Sequence, residues 1–140
     1  MDMPNQLQWL LEYEMQAGRR YRRYATLAIV STRPGHEKAS AELIRKSMRA
    51  SDAIFILKLD TIAILMGETE MEDGRAAVHR LSRRTNGSLQ LCAGLACSPR
   101  DGFGVQDLID RASRRLSLAQ SGCYGPIVGS DDLEPIAAQN

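Results

Sequence analysis

Arg49 and Asp52 stand three residues apart at the head of "RASDAIFILKLDTIAILM" (49–66), just before two apolar runs that fold back about "KLDT". A guanidinium offers a planar fork of donors to a phosphate or to the acceptor edge of a base, and a carboxylate beside it accepts from N–H groups. Together they could hold a ligand carrying both kinds of group. Each also has a plainer use, since an arginine opposes the dipole at a helix C-terminus and an aspartate holds a turn. An R-x-x-D pair standing alone therefore proves little.

The other chemistry-bearing residues are weaker candidates. "RRYRRY" (19–24) interleaves arginine with tyrosine, a pattern that can bind nucleic acid by charge and stacking. His36 and His79 lack acid or cysteine partners at metal-ligand spacing and read as surface or turn residues. Cys92, Cys97 and Cys123 are odd in number and wrongly spaced for a zinc knuckle, so they read as reduced packing or loop residues in a cytoplasmic protein. Trp9 and Leu10 read as core residues, with a partner interface as the second possibility.

The balance of 18 basic and 17 acidic residues creates no global field toward nucleic acid or an anionic membrane, so any anion site must be local. No charged and apolar leader opens the chain, and its apolar runs of about six residues fall far short of the ~20 that cross a bilayer. No membrane insertion is expected. With 140 residues, 44% of them hydrophobic, there is room for one domain with one core, read here over 1–129, with a loose acidic tail at 130–140.

The elements that must position these residues follow from periodicity. "PNQLQWLLEYEMQAGRRYRRY" (4–24) predicts a helix with Leu7, Leu10, Leu11 and Met15 at helical spacing, and "ATLAIVS" (25–31) a strand closed by "TRPG". "HEKASAELIRKSMRAS" (36–51) predicts a helix with Ala39, Leu43, Ile44 and Met48 on one stripe; "AIFIL" and "TIAILM" predict an antiparallel hairpin. "ETEMEDGRAAVHRLSRR" (68–84) begins acidic and ends basic, as a helix should. "SLQLCAGLA" (88–96) predicts a strand, "VQDLIDRASRRLSLAQ" (105–120) a helix with Val105, Leu108, Ile109, Ala112, Leu116 and Ala119 on one face, and "PIV" a short edge strand. The order is α+β, with helices packed on a mostly antiparallel sheet of about five strands.

That order, with these local sequences, resembles the GGDEF domain of diguanylate cyclases, which join two GTP into cyclic di-GMP and have a nucleotidyl cyclase-like fold. "LEYEMQAGRRYRRYATLAIV" is similar to the family's opening helix and first strand, and "RASDAIFILKLDTIAILMGET" to its R-x-S-D, five residues, signature pentapeptide, apolar strand and acidic-Thr stretch. "LCAGLACSPRDG" resembles the S-I-G-V-A strand followed by P-x-D-G, and "LIDRASRRLSLAQSG" the late A-D-x-A-L-Y-x-A-K helix.

Against that family the departures fall on the catalytic parts. The signature glycines let bare backbone approach GTP, and an acid after them helps hold metal; here the five positions are Lys58, Leu59, Asp60, Thr61 and Ile62. The acid that ends the family's first strand and coordinates Mg²⁺ is replaced by Ser31, Thr32 and Arg33. The segment that builds the family's guanine pocket is missing before Gly35-His36, and the phosphate-contacting lysine of the late helix aligns with Gln120. The resemblance so read implies a protein that is not an enzyme and needs no Mg²⁺ or other cofactor.

Many members of the family also have an inhibitory product site, an R-x-x-D five residues before the pentapeptide. Arg49 and Asp52 stand at that spacing, with Ala53 to Leu57 intervening, and Arg80 falls where the family places a further arginine on the following helix. Helical geometry points Arg80 away from the apolar stripe, outward. Arginine can clamp guanine O6 and N7 or a phosphate, and aspartate can accept the guanine N–H groups. The resemblance thus implies a cytoplasmic cyclic di-GMP receptor using Arg49, Asp52 and Arg80, signalling to a protein effector or through a homodimer, with no nucleic-acid partner. The alternative is a nucleotide-independent scaffold. Convergence of the three side chains on one open surface favours the receptor; burial or mutual salt bridging favours the scaffold.

Overall fold

A computed structural model describes residues 5–21, 24–32, 35–58, 60–85, 91–102 and 104–130. The elements run α1 (Asn5–Tyr21), β1 (Ala25–Ser31), α2 (Glu37–Ser47), β2 (Ala53–Lys58), β3 (Thr61–Gly67), α3 (Met71–Arg84), β4 (Cys92–Ser98), α4 (Val105–Ser121) and β5 (Ile127–Val128). They form one five-stranded sheet in the order β2-β3-β1-β4-β5, antiparallel except for the β4–β5 pair.

β1 is central and buried at every residue, so it reads as a continuous apolar run with no polar alternation. Its period of two still sorts the core. Ala28 and Val30 face a cluster with Ile44 of α2 and Val78 and Leu81 of α3; Leu27 and Ile29 face Leu7 and Leu11 of α1 and Leu108, Ile109, Ala112 and Leu116 of α4. Two helices cover each face. α4 lies so close on β4 that a Cβ on Gly94 would overlap the helix backbone at Leu116 N and Ala112 O and lie 2.7 Å from Arg115 C. Only a residue without a side chain permits that approach.

Several boundaries differ from the sequence reading, for local reasons. α2 stops at Ser47 with Met48 in extended conformation, so Arg49 is not the end of a helix but part of the turn that follows. α3 starts at Met71 rather than 68, because Glu68 takes a left-handed φ of 52° and breaks helical continuity. β4 runs on to Ser98, since Cys97 and Ser98 pair with Thr26 and Ala25. On α2 the core side is taken by Ser40 and Ile44, while Leu43 is 40% exposed and Ala39 is exposed.

Trp9 is not a core residue. It is 63% exposed and stacks on Tyr13 with ring centroids 5.8 Å apart, while Leu7 and Leu11 take the buried side of α1. "PIV" forms the edge strand β5, and Ser130 just beyond it is buried; the rest of the acidic C-terminal segment, 131–140, lies outside the described residues. Among the described residues no helix is long and apolar enough to cross a membrane.

Candidate ligand-binding site

The four residues Arg49 to Asp52 make a turn closed from both sides. The Asp52 N–H donates to Arg49 O (3.0 Å), and the Arg49 N–H donates to Asp52 Oδ2 (2.9 Å). The i, i+3 spacing is what this reciprocal closure needs. The turn carries the chain from the end of α2 into β2 and presents the Arg49 side chain alongside the β3–α3 connection.

There the guanidinium is held by one nitrogen. Arg49 Nη2 donates to Thr69 Oγ1 (2.7 Å), to Gly67 O (3.1 Å) and to Asp52 Oδ1 (3.3 Å). The Asp52 side chain is 2% exposed and that of Arg49 is 56% exposed, so the pair sits with its acid inside and its base facing out. Both Asp52 oxygens are engaged by Arg49, which makes this carboxylate the anchor of the turn.

Arg80 joins them from α3. It is exposed, as helical geometry requires, and lines the same open pocket of about 260 Å³ together with Arg49, Asp52, Met66, Glu68 and Asp73. The three residues singled out in the sequence therefore converge, and two of them also bridge one another. Three acids against two arginines line this pocket, so it is not a plain phosphate clamp. Its guanidinium forks stand beside carboxylates, the combination that reads a base edge with both acceptors and donors.

The region of the pentapeptide lies elsewhere, where the β2–β3 turn meets the end of β1. Ser31 pairs with Thr61 and Cys92, the Thr32 N–H donates to Asp60 O (2.9 Å), and the Thr61 hydroxyl donates to Asp60 Oδ1 (3.1 Å). Leu59 and Arg33 lie outside the described residues. A magnesium ion takes octahedral oxygen ligands through one or two carboxylates plus substrate phosphates. Among the described residues this end of the sheet offers one carboxylate, that of Asp60, whose Oδ1 accepts from Thr61, and the buried Thr32 Oγ1, which has no hydrogen-bond partner. Among the described residues no three His, Cys, Asp or Glu side chains cluster as a metal site.

His36 and His79 are exposed. Cys123 is exposed, Cys92 half-buried and Cys97 buried, all as free thiols. Burial pushes the Cys97 thiol up, and its Sγ points at Ser98 O (3.5 Å) and Thr69 O (3.8 Å). Of "RRYRRY", Arg22 and Arg23 lie outside the described residues.

One polar cluster escaped the sequence reading. Arg115 of α4 is buried and donates through Nη1 to Leu95 O (2.8 Å) and through Nη2 to Asp101 Oδ1 (2.9 Å). The Ser130 hydroxyl lies 2.8 Å from Asp101 Oδ2, and the Cys97 N–H donates to that same oxygen (2.8 Å). Burial would raise the Asp101 carboxyl, but the hydrogen bonds from Arg115, Cys97 and Ser130 outweigh it and hold the group below its ordinary value. The signal was present: Arg115 falls seven residues after Leu108 and four before Ala119, on the apolar stripe of α4. A charge on a core stripe calls for a buried partner.

No protein-family model and no curated protein sequence matches the chain. Solved structures do. The GGDEF domain of YfiN (or TpbB) from Pseudomonas aeruginosa superposes with a TM-score of 0.79 at 15% identity, covering 89% of this chain and 92% of that one. The active GGEEF domain of a diguanylate cyclase from Vibrio cholerae gives 0.76 at 12% identity, covering 89% and 94%. The diguanylate cyclase SiaD of Pseudomonas aeruginosa, solved in complex with its activator SiaC, gives 0.77 at 15% identity, covering 89% of this chain and 57% of that one. The chain has the fold of a GGDEF domain.

Proposed function

We propose that this protein is a cyclic di-GMP receptor built on a GGDEF fold that does not synthesise the dinucleotide. The observation that carries the reading is the convergence of Arg49, Asp52 and Arg80 on one open pocket. At about 260 Å³ the pocket is smaller than the ~300–1,000 Å³ of sites that enclose a whole drug-sized ligand, so it takes one guanine and leaves the rest of the dinucleotide at the surface. In this reading Arg49 and Arg80 bind the O6/N7 edge or a phosphate, Asp52 anchors Arg49, and the carboxylates lining the pocket accept guanine N–H groups. A self-stacked pair of dinucleotides bridging two such sites would couple nucleotide level to a homodimer or to a protein effector. That SiaD is found with a protein activator supports a protein partner for this fold.

The Arg49–Asp52 salt bridge favours a second reading, a nucleotide-independent scaffold in which the pair serves the turn alone. Calorimetric titration of cyclic di-GMP into the wild type and into Arg49→Ala, with GTP in parallel, separates the two. Micromolar or tighter binding of cyclic di-GMP that Arg49→Ala abolishes is the expected result. No heat with either nucleotide would leave the scaffold reading.

A further inference from the structure

We infer that Thr69 is a positioning residue for this pocket, holding Arg49 by a single nitrogen so that the remainder of its fork is presented to a ligand; the ligand's identity rests on the receptor reading above. Arg49 spends Nη2 on Thr69 Oγ1, Gly67 O and Asp52 Oδ1, while Nε and Nη1 make no hydrogen bond among the described residues. A free arginine side chain on a surface samples many rotamers, and binding must first order it. Here that ordering is done in advance.

Thr69 is suited to the task because it is itself immobilised. It is 6% exposed, its N–H donates to Tyr24 O (3.2 Å), and its carbonyl accepts the hydroxyl of Thr26 (2.7 Å). Its backbone is thus tied to β1 and to the residue just before it. Its hydroxyl donates to Gly67 O (2.8 Å), which turns the oxygen lone pairs toward Arg49 Nη2 at 2.7 Å. Gly67 O and Thr69 Oγ1, the two acceptors that β3–α3 offers to Arg49, flank Glu68, the residue with a φ of 52°. A non-glycine residue is held there only where its surroundings demand it, and such residues gather at ligand clamps.

The test compares Thr69→Val, which keeps the shape and deletes the hydroxyl, with Thr69→Ser, which keeps the hydroxyl. Calorimetry with cyclic di-GMP is expected to show binding about tenfold weaker in Thr69→Val and near wild type in Thr69→Ser, the size of effect that losing one charge-assisted hydrogen bond gives. Titrations are run well below each variant's Tm, so a merely structural role would lower Tm and leave Kd alone. In the ligand-free protein, ¹⁵N spectra assigned through Arg49→Ala are expected to show restricted rotation of the Arg49 guanidinium in wild type and averaging in Thr69→Val. Wild-type binding that Thr69→Val leaves unchanged overturns the positioning role alone, as does an Arg49 signal indifferent to that substitution. Equal weakening in both variants also overturns it, because the hydroxyl would then not be the cause. Absence of binding by the wild type overturns the receptor reading, and the positioning role falls with it.

Discussion

At the scale of single residues, the two buried or half-buried arginine–aspartate pairs do different work. Arg49 and Asp52 are asymmetric, the acid inside and the base mostly outside, so the pair can hold its turn and still face a ligand. Arg80 is exposed on α3 and lines the same pocket; Arg80→Ala should weaken cyclic di-GMP binding about tenfold by calorimetry without moving the Tm. Arg115 and Asp101 are both buried, at 6% and 4% side-chain exposure. Breaking such a pair from one side strands a buried charge, and Asp101→Asn is expected to cost about 3 kcal/mol in urea unfolding. The pair also sets a pH dependence. Because the folded Asp101 carboxyl titrates below its unfolded value, the stability it contributes is present above the unfolded pKa and is lost as pH falls through the depressed folded one. Melting curves across the acid range should therefore fall more steeply for wild type than for Asp101→Asn.

At the scale of elements, the seat of α4 on β4 depends on a missing side chain. Gly94 lies where any Cβ would meet the α4 backbone, which cannot swing aside as a flexible side chain could. Gly94→Ala should lift the helix off the sheet and lower stability by more than about 3 kcal/mol in denaturant unfolding, at the high end of overpacking effects. A loss below 1 kcal/mol would mean that α4 can shift freely. The pocket is likewise a product of element ends: α2 stops early, α3 starts late, and the two connections so lengthened meet through Arg49, Gly67 and Thr69.

At the scale of the whole molecule, the chain has the fold of a GGDEF domain, and among the described residues the end of β1 and the β2–β3 turn bring one carboxylate, that of Asp60, to the place of the pentapeptide. We predict that incubation with GTP and Mg²⁺ yields no cyclic di-GMP by chromatography; detectable product would overturn the proposed lack of synthesis and leave the binding site to be judged by calorimetry. The pocket opens on the α2–α3 face at one side of the sheet, away from the β2–β3 turn. Sedimentation with and without cyclic di-GMP checks whether ligand-bridged sites assemble: a shift toward a dimer is expected, and it should vanish in Arg49→Ala.

The chain by itself determined the order of helices and strands, because period-two and period-3.6 apolar patterns are local properties of the backbone. It also marked Arg49, Asp52 and Arg80 as candidates, through spacing and a family resemblance. Only the tertiary structure decided what those residues touch. That Thr69 grips Arg49 across 20 residues, and that Arg115 finds Asp101 and Ser130, depends on contacts between elements distant in sequence. The outward turn of Trp9 was settled the same way: α1 has more apolar residues than its buried stripe can take, and packing of Leu7 and Leu11 under the sheet left Trp9 to stack on Tyr13 instead.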